Sequence, residues 1–194
     1  MHAAHPSSPQ VPGDSGVWFF VVADMCGFAV FFLVFMAGRY ASPDLYEASR
    51  AQLDLGFGLA NTLVLLTSGA FMARATREAQ QGAWQRSRNA MLLALISGLP
   101  FAVSKALEWK HKIDHGIGLT TNEFFTYYFV FTGVHFLHFV IGVVVLIVLI
   151  GKSTDEAITA PVRTRWIEAG GTYWHMVDLL WIILFAMLYL MSQA

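Results

Sequence analysis

The chain has 194 residues, 56% of them hydrophobic and only 13% charged, with a mean hydropathy of +0.55. A soluble domain carries about 25% charged residues, so the whole chain is shifted toward lipid. A net charge of -1 leaves no basic footprint for nucleic acid, and the single cysteine, Cys26, excludes an intrachain disulfide and argues against a thiolate metal cluster.

Residues 1–16, "MHAAHPSSPQVPGDSG", contain no Lys or Arg and so lack the basic start of a signal peptide. They read as a short disordered tail in which His2 and His5 are solvated. Residues 17–194 read as one membrane domain. A helix crossing the hydrocarbon core needs about 20 mostly apolar residues, and five segments meet that length: about 17–38, 53–73, 90–109, 125–150 and 172–191. The linkers between them, 39–52, 74–89, 110–124 and 151–171, are polar and too short for a second domain. The expected fold is therefore all-α, a polytopic bundle of five transmembrane helices.

The first span, "WFFVVADMCGFAVFF", carries Asp24 and Cys26, the latter expected to be a small packing residue. Asp24 is expected either to handle a proton or to hydrogen-bond to another helix. The second span opens beside Asp54, within reach of the headgroup region. It is rich in small residues (Gly56, Gly58, Ala60, Ser68, Gly69, Ala70), as is the fourth at Gly133 and Gly142, and such positions let helices approach closely. The third span contains Pro100, expected to kink it with Gly98 easing the bend, and then Lys105 and Glu108. His135 and His138 lie in the fourth span, and Trp174, His175 and Asp178 in the fifth. The six tryptophans, Trp18, Trp84, Trp109, Trp166, Trp174 and Trp181, fall mostly near span ends as an aromatic belt.

Charged groups in a span are costly and mark function by default. Lys105 and Glu108, His135 and His138, and His175 and Asp178 are each three apart, and residues at i and i+3 share a helix face. Each pair can turn inward together. Imidazole and carboxylate suit zinc or iron, so His135, His138, His175, Asp178 and Glu108 could serve a metal. A bis-histidine haem would use two of the three intramembrane histidines. The alternative is hydrogen bonding between helices, to water or to lipid headgroups.

Orientation follows the basic residues. The loops on the side of the N-terminus hold Arg74, Arg77, Arg86, Arg88, Lys152, Arg163 and Arg165, against Arg39, Arg50, Lys110 and Lys112 on the other. That bias predicts a cytoplasmic N-terminus and a periplasmic C-terminus.

Four stretches in order resemble one family. "FVFTGVHFLHFVIG" and "YWHMVDLLWIILFAMLYL" resemble the Thr-Gly-x-His-x-x-His and Trp-His-x-x-Asp helices of subunit III of the haem-copper oxidases. "GLANTLVLLTSGAFMARA" resembles the family's Asn-Thr-x-x-Leu-Leu-x-Ser helix, and "FAVSKALEWKHKI" the helix carrying its intramembrane Glu, here Glu108. The resemblance spans about residues 16–192. Many members have seven spans, and this chain has five. Its short length, its "WFFVVADMCGF" opening and the Lys105-to-Glu108 spacing look like the NorE-type branch associated with nitric oxide reductases, while some oxidases also have five-span subunit III chains, so the resemblance leaves both a nitric oxide reductase and a cytochrome c oxidase as the complex.

The resemblance implies a non-catalytic subunit of the bacterial inner membrane, without haem, copper or other cofactor of its own. It implies packing on a catalytic subunit I-like partner, bound phospholipid, and support of assembly and sustained turnover. It implies structural, lipid-binding or proton-related roles for Glu108, His135, His138, His175 and Asp178, with Lys105, Trp174 and Asp24 as neighbours in a buried polar cluster. An independent metal- or haem-binding redox protein and a small proton or ion transporter are the rival classes.

Overall fold

The computed structural model describes residues 15–191, and the expectations for His2, His5 and the rest of residues 1–14 lie outside them. The described chain is all-helical. Its helices are α1 (Ser15–Ala41), α2 (Pro43–Arg50), α3 (Leu55–Gln80), α4 (Trp84–Asp114), α5 (Glu123–Lys152) and α6 (Ala160–Phe185), the last continued by a π turn, Ala186–Leu190. Five of them are long and apolar enough to cross a membrane.

The helices overrun the apolar stretches, because polar residues at their ends find partners within the fold. α6 begins at Ala160, well before 172. Arg163 explains this: buried against the Trp84 ring, 4.5 Å from its centre, it donates to the carbonyls of Ser153 and Ile158 at 3.3 and 2.7 Å. It thereby organises the α5–α6 connection, and a residue that read as loop charge becomes a loop clamp. The same shift moves Trp174 and Trp181 from the expected belt into the core, at 2% and 0% exposure. The linker 39–52 contains α2, started by Pro43 at its first turn. Asp54 and Asn122 cap α3 and α5, accepting from Gly56 N at 2.7 Å and from Phe125 N at 3.0 Å. α4 continues on both sides of Pro100 without interruption.

α6 is the hub. It packs on α1, α3 and α5, while α3 and α4 form a hairpin turned at Gly82, whose φ of +71° suits glycine. Only 17% of the most apolar window of α1 is buried, against 67% of that of α6. Close approach is concentrated at certain small residues. Ser68 of α3 donates to Ala94 O of α4 at 2.6 Å, and a Cβ at Gly58 would stand 2.7 Å from the Phe185 ring. Gly142 lies against Trp174, whereas Gly133 has open space where it was expected to pack. Cys26, expected to pack, is exposed on α1.

Candidate functional site

The polar residues inside the bundle do not form one cluster. They separate into a closed group near the α1–α2 and α4–α5 end and two pairs farther toward the other end of the bundle. On α5, three residues along a helix is 60° short of a full turn, enough to point His135 and His138 at different neighbours.

The closed group is built on α4. Lys105 and Glu108 are 0% and 4% exposed, and Lys105 Nζ donates to Glu108 Oε2 at 2.9 Å. The other carboxylate oxygen, Oε1, accepts from Tyr128 of α5 at 2.7 Å and from Tyr189 of the π turn at 2.6 Å. Lys105 also reaches the Tyr189 hydroxyl at 3.1 Å and lies 5.1 Å from the Trp181 ring centre. A buried ion pair is tolerated only when its remaining donors and acceptors are met, and the two tyrosines meet them. Gly58 leaves the room on α3 that brings Tyr189 in. Tyr128 and Tyr189 were not singled out in the sequence. The available signal was a tyrosine just inside the end of each span, whose hydroxyl needs a partner when buried.

The second site joins α1 to α5. His138 Nδ1 is 2.8 Å from Val134 O, an acceptor, so Nδ1 carries a proton. Nε2 is 3.1 Å from Asp24 Oδ1. That contact needs one proton, held either on the ring as an ion pair or on the carboxyl as a neutral bond. His135 points elsewhere. It is 0% exposed, edge-on to Phe101 at 5.5 Å and 5.3 Å from Trp181, and neither ring nitrogen has a hydrogen-bond partner among the described residues. An N–H facing an aromatic ring is the weak interaction left to it.

The third site lies on α6. His175 Nδ1 and Asp178 Oδ2 are 3.7 Å apart, beyond hydrogen-bond range. Asp178 is buried against Gly69 of α3, where a Cβ would collide with Oδ2, and its Oδ1 has no hydrogen-bond partner among the described residues. His175 is 47% exposed. Beside it Trp174 donates to Ser68 Oγ at 3.1 Å, and Trp181 to Thr62 Oγ1 at 3.1 Å, which pins α6 to α3. Among the described residues no three His, Cys, Asp or Glu side chains converge as a metal site would require.

Bordering the closed group, with Glu108 in its lining, a cleft of about 1050 Å³ lies where the end of α4 meets the α2–α3 connection. Lys110, His111 and Lys112 give it cationic and imidazole groups, and Leu55, Phe57 and Leu107 an apolar side. Phe57 and Leu107 also line an apolar groove of about 510 Å³ running along α4 past Pro100.

The order and content of these helices match one family across the chain. The model of cytochrome c oxidase subunit III matches residues 2–193. The chain belongs to the cytochrome c oxidase subunit III family. Cytochrome c oxidase subunit 3 of Alkalihalophilus pseudofirmus is 28% identical over 194 residues, 97% of this chain and 93% of the relative. Cytochrome bo(3) ubiquinol oxidase subunit 3 of Pseudomonas aeruginosa is 27% identical over 91% of this chain and 84% of its own. A heme-copper oxidase subunit I+III of Aeropyrum pernix is 26% identical over 97% of this chain, which covers 24% of that longer protein. Subunit III membership agrees with the expectation raised by the four motifs.

Proposed function

We propose that this chain is a non-catalytic subunit of a haem-copper superfamily complex in a bacterial inner membrane. Its membrane domain is residues 17–194, with 1–16 a tail, and the N-terminus faces the cytoplasm. It packs beside a subunit I-like catalytic chain and supports assembly, stability and sustained turnover, with no cofactor of its own. The observation that carries this reading is the way the family's polar positions are spent. Lys105, Glu108, Ser68, Trp174, Asp24 and His138 are spent on hydrogen bonds that hold the bundle together. The fused Aeropyrum relative supports a subunit I-like partner, since its name joins both subunits in one chain.

Two complexes compete for the partner. The NorE-type reading assigns a nitric oxide reductase, on the motif resemblance. The Alkalihalophilus relative favours an oxygen-reducing oxidase, because it carries an oxidase name and this chain covers 93% of its length. Purifying the native complex in mild detergent and analysing its metals decides between them. Copper at the partner's active site identifies an oxidase, and non-haem iron a nitric oxide reductase. A chain that purifies alone with stoichiometric haem, copper or iron overturns the accessory reading.

Phospholipid belongs to the same proposal. The cleft presents Lys110 and Lys112 together with Asp54, Glu108 and Asp114, a mixture of signs that suits a zwitterionic headgroup, and the groove shared through Phe57 and Leu107 suits an acyl chain. Lipid retained by the purified chain, measured by mass spectrometry, should fall in a Lys110→Gln, Lys112→Gln double variant.

A further inference from the structure

Side chains four residues apart on a helix project from one face and meet. His111, in the last turn of α4, and His115, its C-terminal cap, have that spacing. Both are exposed, their ring centres are 4.3 Å apart, and both line the cleft at the end of α4. They lie beyond the apolar part of the third span, where a membrane's demand for buried polar partners no longer explains an imidazole.

The end of α4 holds this pair in place. Gly116, with φ +77°, stops the helix: its N–H donates to Ile113 O, and that of Ile117 to Lys112 O, each at 2.9 Å. That crossed pair of bonds closes a helix end firmly. His115 Nδ1 is 2.7 Å from His111 O, an acceptor, so Nδ1 carries the proton and Nε2 keeps its lone pair. Metal-ligating imidazoles are oriented in this way, one nitrogen tied by its N–H to a carbonyl and the other left to ligate. The surrounding charge also suits a cation. The C-terminal end of a helix is its negative end, and Asp54 and Asp114 border the same cleft. The two nearby ammonium groups are engaged, Lys110 with Asp114 Oδ2 at 2.5 Å and Lys112 with Gln52 O at 2.8 Å.

The geometry points to a divalent transition-metal site at the end of α4, chelated by His111 and His115 through one ring nitrogen each. Two nitrogens at 2.0–2.1 Å from a tetrahedral zinc ion stand about 3.3 Å apart, a separation that rings 4.3 Å apart reach by small side-chain rotations. The remaining positions on the ion are open to water or to an anionic oxygen in the cleft. Structural zinc has four protein ligands, so a two-histidine chelate is an exchangeable site, and nitrogen donors rank copper(II) above zinc in it. The site does not rest on the accessory-subunit reading. An ion that a chelator removes is not the resident metal that would overturn that reading.

The test is calorimetric titration of zinc into the full-length, untagged chain in detergent after treatment with a chelator. The expected result is one saturable zinc ion per chain. His111→Gln and His115→Gln should each raise the Kd about 10-fold or more, because a chelate that loses one ligand also loses the effective concentration that held the ion on the other. His175→Gln, at an imidazole 47% exposed elsewhere on the bundle, should bind as the parent does, and so should a His2→Gln, His5→Gln double variant.

Two further readouts separate ligation from folding. With copper(II) in place of zinc, the electron paramagnetic resonance spectrum should show coupling to two imidazole nitrogens in the parent and to one in either single variant. Saturating zinc should raise the unfolding midpoint of the parent and leave both single variants unmoved, since an ion bound only by the folded turn shifts the equilibrium toward it. The site is overturned by the absence of saturable zinc binding, by an unchanged Kd in either single variant, or by loss of binding in H175Q or the tail double variant. A parent midpoint that zinc does not move, or a copper spectrum alike in parent and variants, overturns it too.

Discussion

Lys105–Glu108 on α4 and His175–Asp178 on α6 have the same i, i+3 spacing and both lie in spans, yet they end in opposite states. The first pair is sealed: 2.9 Å between charges, with Tyr128 and Tyr189 completing the carboxylate from two other elements. The second is open: 3.7 Å apart, the imidazole half exposed and Asp178 Oδ1 unmet. Spacing therefore determines which residues can meet, and the neighbouring helices determine whether they do. Closure requires partners from elsewhere. α5 and the π turn supply hydroxyls at the first site, whereas α3 brings only the backbone of Gly69 to the second.

If closure holds the bundle together, the largest effect comes from opening the sealed site. Glu108→Ala leaves a buried ammonium without its counter-charge and two hydroxyl protons without their acceptor, and should cost about 3–5 kcal/mol, read as a shift in the unfolding equilibrium in mixed micelles. Lys105→Met with Glu108→Gln removes both charges and keeps a carbonyl for the tyrosines. It should recover most of that loss, and a double variant as unstable as E108A would show that the charges themselves are required. Next comes closing the space on which the open site depends. Gly69→Leu drives a side chain into Asp178 and should cost about 1–3 kcal/mol by overpacking. The same substitution at Gly133, where no atom stands within 4 Å, should cost much less.

The same comparison shows what the sequence could and could not reveal. The five long helices were legible because lipid requires runs of apolar residues. Their ends were not, because the helices run past the apolar stretches into polar residues: Asp54 and Asn122 cap locally, and Arg163 is satisfied by carbonyls that the folded α5–α6 connection brings near. At the sites, Lys105 and Glu108 could be paired within one helix. The partners of Asp24, Ser68 and Thr62 could not, since their contacts with His138, Trp174 and Trp181 bridge 106 to 119 positions of chain. His135 and His138 looked like a pair and diverged, one into an aromatic cage and one onto α1. Family resemblance supplied the motifs' order, but not which of their polar residues are sealed.

The smaller effects lie at contacts between these extremes. Trp174→Phe removes the indole donor to Ser68 and should cost about 1 kcal/mol, because Ser68 keeps its bond to Ala94 O while an N–H pin between α6 and α3 is lost.

The smallest expected effect tests the proton between α1 and α5. With His138 Nδ1 committed to Val134 O, Nε2 is free to accept. Asp24→Asn then offers an amide N–H to Nε2 at the same place, keeps one proton in the contact and should change stability by less than about 0.5 kcal/mol. Asp24→Leu removes the partner and should cost about 1 kcal/mol, the scale of a hydrogen bond between membrane helices. If D24N were as damaging as D24L, the pair would be an ion pair dependent on the carboxylate charge. Its proton would then reside on His138, and α1 would be held to α5 there by electrostatics.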